Sequence, residues 1–184
     1  MAQRALVELA RSGDHEAFAS LVRDAAVRLD GAARLILRDP ESARDAVQDA
    51  LIRAWRDLSG LRDPDRFDAW LHRLTVNACL DIARRRRRRA FEVELTPLHG
   101  PTSLDTAEAF ADRELLGESL RRLNPEWRAI VVMHYYLGMP LPEVANALGI
   151  PLGTAKSRLH RAVEKMRSDV IADAPATMVV GGAS

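Results

Sequence analysis

Over residues 41–58 the apolar side chains Ala43, Ala46, Val47, Ala50, Leu51, Ala54, Trp55 and Leu58 recur at spacings of three and four, uninterrupted by glycine or proline. That period puts them on one stripe of an α-helix and on no single face of a strand. The same period returns along most of the 184 residues, and no alternating run of strand length competes with it. The expected fold class is all-α.

Asp14 can cap a helix in which Phe18, Leu21, Val22, Ala25 and Leu29 share a face, and apolar residues continue to Leu37 before Asp39-Pro40 breaks the pattern. One or two helices are expected there. Residues 59–64 form a turn by composition, and Asp65 is the expected cap of a helix carrying Phe67, Trp70, Leu71, Leu74, Ala78 and Ile82 inward and running on into Arg84 to Arg89. Residues 91–107, with Pro97, Gly100 and Pro101, have no sustained period and are expected to be a flexible linker. Helical period resumes with Phe110, Leu116, Leu120 and Leu123, after which Asn124-Pro125-Glu126 supplies a cap, a proline at the first helical position and a first-turn acid. That helix should carry Ile130, Met133 and Leu137 inward and stop at Gly138. A short helix over 142–148, Gly149, and a last helix over about 152–170 then make a helix-turn-helix. The expectation is two small helical domains, 1–90 and 108–171, followed by a disordered tail at 172–184.

The net charge of +1, from 27 Lys+Arg against 26 Asp+Glu, conceals an uneven distribution. Residues 61–90 carry 9 basic and 4 acidic side chains, residues 91–149 carry 4 and 9, and residues 150–184 carry 5 and 3. Two positive islands separated by an acidic stretch suggest two contact zones for a polyanion. Cys79 is the only cysteine, so no intrachain disulfide or multi-cysteine zinc site can form. No stretch is apolar enough to span a membrane, and the N-terminal ten residues have neither a basic cap nor an apolar core of the signal-peptide kind. A cytoplasmic location without membrane insertion is the expectation.

The last helix has two chemically different faces. Ala155, Leu159, Ala162, Val163 and Met166 point inward, while Thr154, Lys156, Ser157, Arg158, His160, Arg161 and Lys165 point elsewhere, with Glu164 the only acid between Thr154 and Arg167. A basic face on the second helix of such a motif suits the major groove, where hydroxyls and arginines reach phosphates and base edges. The alternative is a solvated basic face. Six consecutive arginines, Arg84 to Arg89, point in all directions around a helix, so only Arg84 and Arg85, nearest its packed part, have well-defined positions. On the polar side of the helix over 41–58 lie Asp45, Asp49 and Arg56, with Gln48 at the margin, and among them the apolar Ile52. A stray exposed residue or a docking surface for another protein's helices would account for it. The five histidines never take a zinc spacing, and neither a phosphate-binding glycine loop nor a nucleophile elbow is present. The sequence therefore predicts no catalytic residue, metal or cofactor.

Taken together these segments resemble the sigma factors of bacterial RNA polymerase, in their extracytoplasmic-function (ECF) class, over about residues 10–170. DAVQDALIRAW (45–55) and RFDAWLHRLTVNACLDIARR (66–85) resemble that family's domain for the promoter minus-ten element. LNPEWRAIVVMHY (123–135) and GIPLGTAKSRLHRA (149–162) resemble its domain for the minus-thirty-five element. The resemblance implies that Asp45, Gln48, Asp49 and Ile52 grip the clamp helices of core RNA polymerase, whose largest and second-largest subunits are the implied partners. It places Leu61 and Arg62 of the loop, with Asn77, Asp81, Arg84 and Arg85, against the minus-ten DNA, where an unstacked base is captured. It makes Thr154, Lys156, Ser157, Arg158, His160 and Arg161 readers of the minus-thirty-five DNA, and it implies an anti-sigma factor as a regulatory partner. Two departures stand out: Pro140-Leu141-Pro142 opens the helix-turn-helix where a polar cap is usual, and Ala155 replaces a common valine. The rivals are an autonomous helix-turn-helix regulator, which would bind DNA without polymerase, and a small helical enzyme with a pocket near Trp55 and Trp70.

Overall fold

The computed structural model describes residues 2–92 and 110–173. Eight α-helices run through these residues, with no strand among them. The first half contains α1 (Ala2–Arg11), α2 (His15–Leu37), α3 (Pro40–Asp57) and α4 (Phe67–Glu92). Asp14 caps α2 by accepting from the Glu16 and Ala17 amides at 2.9 and 3.0 Å. A single helix thus covers the segment where one or two were expected. It ends because Arg38 turns left-handed at φ 61°, its amide donating to the Arg34 carbonyl at 2.9 Å. Asp39 then caps α3 by accepting from the Ser42 amide at 3.1 Å, with Pro40 in the first turn.

Two differences from expectation concern helix starts. The amphipathic α1, which buries Val7 and Ala10, was not anticipated. The cap before Phe67 is Asp63 and not Asp65: Asp63 accepts from the Asp65 amide at 3.1 Å and caps a 3-10 turn, Pro64–Arg66, that leads into α4. Asp65 instead pairs with Arg4 of α1 at 3.1 Å.

The second half contains α5 (Phe110–Arg121), α6 (Pro125–Val131), α7 (Leu141–Leu148) and α8 (Leu152–Asp173). Asn124 caps α6 by accepting from the Trp127 amide at 2.8 Å. Beyond α6 the chain widens into one π turn, Val132–Tyr136, and leaves it through Gly138 at φ 70°. No side chain caps α7; the Pro140 carbonyl accepts from the amides of Glu143 and Val144 at 2.9 and 3.1 Å. Gly149 at φ 64° makes the left-handed turn from α7 to α8. The expected flexible linker falls largely, and the expected disordered tail almost wholly, outside the described residues.

Helix α3 presents Ala43, Ala46, Ala50 and Ala54, all at zero exposure, to its neighbours. Side chains this small let α2 and α4 close on α3 from both sides. One core cluster joins α1, α2, α3 and the start of α4 through Val7, Leu29, Leu58, Phe67 and Leu71. The other is continuous across the two helical domains: Ile36, Val76 and Cys79 belong to the same cluster as Ile130, Met133 and Val144. Helices α2 and α4 meet α6 there, with the π turn against α2 and α7 against α4. Burying each large side chain contributes about 1.5–3 kcal/mol.

Candidate nucleic-acid interface

The helix-turn-helix sets the direction of α8. Ala155 and Ala162 are fully buried, and Leu159 and Met166 pack partly buried against the core. Lys156, Ser157, His160 and Arg161 are left exposed, with Thr154 and Arg158 half-buried beside them. The Ser157 hydroxyl donates to the Thr154 carbonyl at 3.0 Å. Further along, Lys165 pairs with Asp169 at 3.2 Å and Arg167 with Glu164 at 3.7 Å. Lys156, Arg158 and Arg161 form no ion pair among the described residues, so α8 keeps uncompensated positive charge in its N-terminal half. Its C-terminal end is fixed by Arg122, the residue just past α5, which reaches Asp173 at 2.8 Å. The smaller Ala155 leaves the turn intact.

The second basic zone lies on α4. Asn77 and Asp81 are half-buried, Arg84 and Arg85 exposed. Asp81 accepts from Arg84 at 2.7 Å and lies 3.9 Å from Arg53 of α3, which itself pairs with Asp49 at 2.7 Å. A charge ladder therefore connects two groups of residues that the family resemblance assigns to different partners. Arg86 departs from the rest of the arginine run: it folds back to donate to the Asp39 carboxylate and the Ser42 hydroxyl, tying α4 to the start of α3. The Ser42 hydroxyl foremost, then Arg86, holds the Asp39 carboxyl down at about 2. In the loop before α4, Arg62 is exposed, but Leu61 is only 6% exposed and lies in the core with Leu58 and Phe67. Leu61, expected against the minus-ten DNA, is thus a core residue of the chain by itself, and its side chain anchors the loop from below.

On α3, Asp45 and Gln48 are exposed, Asp49 is half-buried, and Ile52 is 57% exposed, as its outward position required. Ile52 forms one wall of an open groove of about 650 Å³ shared with His15, Phe18, Val47, Gln48, Leu51 and Trp55. His15 stacks on Trp55 with centroids 4.4 Å apart, and Phe18 meets the same ring edge-on at 5.1 Å. Sequence periodicity assigned Trp55 to the interior and was silent on His15; nothing local marks a pairing across 40 residues. Cys79 is buried, and burial pushes its thiol up to about 12, leaving it unreactive. No helix among the described residues is long and apolar enough to cross a membrane, and no three of their His, Cys, Asp and Glu side chains cluster as a metal site.

Two separate basic helices, one of them in a helix-turn-helix, mark a helical DNA-binding protein, and an open groove of about 650 Å³ lies on a third helix. Family models agree: residues 15–89 match sigma-70 region 2 and residues 113–166 match sigma-70 region 4. The chain is 34% identical over 157 residues to the RNA polymerase sigma-E factor of Streptomyces avermitilis, with 85% of each chain covered. It is 38% identical over 158 residues to the ECF RNA polymerase sigma factor SigM of Mycobacterium tuberculosis, covering 82% of this chain and 76% of that one. Among solved structures, CnrH in complex with the cytosolic domain of CnrY superposes with a TM-score of 0.67 at 31% identity, over 95% of this chain and 100% of that one. The sigma factor RpoE in complex with the anti-sigma factor NepR from Bartonella quintana shares the fold, with a TM-score of 0.66 at 20% identity over 84% of this chain and 99% of that one. The chain belongs to the sigma-70 family of RNA polymerase sigma factors, in its ECF class. Its role is promoter recognition in transcription initiation.

Proposed function

We propose that the three surfaces divide the work as follows. The groove on α3, with Asp45, Gln48, Asp49 and Ile52 at its edge, receives the clamp helices of core polymerase. Arg62, Asn77, Asp81, Arg84 and Arg85 face the minus-ten DNA, and the N-terminal half of α8 enters the major groove of the minus-thirty-five element. Domain limits of 1–90 and 108–171 accompany this assignment. The chain has no catalysis of its own; it directs the polymerase's chemistry from the cytoplasm.

The observation that most supports this reading is the coexistence of an exposed Ile52 beside an apolar groove with uncompensated cations on α8. An autonomous regulator that dimerises or binds a ligand through its N-terminal half would share both features; the match of residues 15–89 to sigma-70 region 2 favours docking on polymerase. By likeness to CnrH and RpoE, each solved with a partner protein, an anti-sigma factor is the proposed regulator.

The test is pulldown of core polymerase by the double variant Gln48→Ala with Ile52→Asp. A folded chain with strongly reduced capture is the expected result. Undiminished capture would remove the docking assignment from α3.

A further inference from the structure

Asp81 is the one acid among the residues assigned to the minus-ten DNA, and a carboxylate set against a phosphate backbone repels it. Asn77, Asp81 and Arg84 are spaced by four and three residues along α4, so they lie on one stripe of the helix. The stripe runs from half-buried Asn77 and Asp81 to exposed Arg84. An acid in the middle of it needs a reason.

Both oxygens of Asp81 are already faced by guanidinium groups of the chain itself. Its Oδ1 accepts from Nη1 of Arg84 at 2.7 Å, and its Oδ2 lies 3.9 Å from Nη1 of Arg53, which comes from α3. The other terminal nitrogen of Arg53 is held by Asp49 at 2.7 Å. Arg53 is therefore fixed between two acids, and Asp81 between two arginines of different helices. Arg53 belongs to neither group of contact residues assigned above.

A free arginine side chain loses rotamer freedom when it engages a ligand, and one already held by a carboxylate has given up part of that freedom in the folded chain. Its charge is also answered in advance, so it attracts phosphate less at long range. What remains is a set of N–H groups of fixed direction. Fixed direction is what discrimination between bases needs, whereas attraction to the backbone carries no sequence information.

We propose that Asp81 is a positioning residue that holds the Arg84 guanidinium for a base of the minus-ten element, and that Arg53 of α3, by steadying Asp81, is a further determinant of minus-ten selectivity. Asp81 itself makes no bond to the DNA. The inference rests on the promoter-binding reading above and divides the work within it: Arg84 reads, and Asp81 and Arg53 hold the reader in place.

A double-mutant cycle in the full chain with core polymerase tests it. Selectivity is read at saturating chain, as the ratio of transcripts from a promoter that the chain serves to those from copies substituted at single minus-ten positions. The folded fraction and the affinity for polymerase cancel in that ratio. Asp81→Ala is expected to lower it by about threefold or more, as Arg84→Ala does, and the two together are expected to lose no more than Arg84→Ala alone. Asp81→Glu, which still reaches Arg84 one turn on, is expected to restore most of the ratio; Arg53→Met should lower it and Arg53→Lys keep it. Additive losses would overturn the proposal, because Asp81 would then act on DNA independently of Arg84. An unchanged ratio in Asp81→Ala would overturn it as well, and an unchanged ratio in Arg53→Met would remove Arg53 from it. If Arg84→Ala leaves the ratio unchanged, the minus-ten assignment of Arg84 falls and the proposal with it, whereas additive losses overturn the proposal alone.

Discussion

Asp39 does two jobs with one carboxylate. It accepts the Ser42 amide that would otherwise be orphaned at the start of α3, and it receives Arg86 from the far end of α4. Its folded pKa of about 2 lies below the ordinary 3.8, so folding favours the charged form. The resulting stability is complete above pH 3.8 and is lost as pH falls toward about 2. Asp39→Ala should therefore lower stability by about 1 kcal/mol near neutral pH. Thermal unfolding of both proteins is expected to show that gap narrowing as pH is lowered toward 3; a constant gap would show that charge plays no part. Leu61 invites a similar test. Leu61→Ala should cost about 2–5 kcal/mol of stability through the cavity it leaves, with minus-ten selectivity unchanged in the fraction that stays folded. Changed selectivity at full stability would return Leu61 to the DNA surface.

At the scale of elements, helix identity and most helix ends were legible because their causes are local. Asp14, Asn124-Pro125 and Gly149 act within a few residues of themselves, and each appears where its chemistry predicts. The misplaced cap before α4 was also decidable: Pro64 at the first position of the turn selects Asp63 over Asp65. Helix α1 is not marked in the sequence because a ten-residue helix is marginal alone and owes its existence to packing Val7 and Ala10 against the rest of the fold. The direction of α8 was legible from period alone, since two buried alanines fix which side faces out. Its role is tested by Arg158→Ala and Arg161→Ala, each expected to weaken minus-thirty-five selectivity by about 1–3 kcal/mol if it makes a bidentate base contact. Uniform loss across sequences in a competition binding assay would assign that arginine to phosphate instead.

At the scale of the whole molecule, what the sequence could not show is what joins distant segments. Arg86 meets Asp39 across 47 positions, and Arg28 meets Leu137 across 109. Periodicity marks Ile36 and Ile130 as core residues but cannot say that they share one core, and it gives no sign that Arg128 is enclosed. The small net charge, +1, predicts weak binding of the free chain to random duplex at physiological salt. Strong binding of the free chain to random duplex at physiological salt would contradict that view. Arg128→Met should raise the unfolding midpoint, because it keeps the bulk of the side chain while removing buried Nε and Nη1 atoms that have no hydrogen-bond partner among the described residues. A lowered midpoint would show that the arginine is not a defect of the packing.

As a sigma factor, this chain confers promoter recognition on core RNA polymerase. Transcription in vitro from a pool of promoter fragments, with core polymerase and the purified chain, tests it most directly. Defined transcripts are expected from a subset of templates sharing a minus-ten and a minus-thirty-five element, and none without the chain. Absence of any defined transcript, from polymerase that initiates normally with another sigma factor, would contradict it.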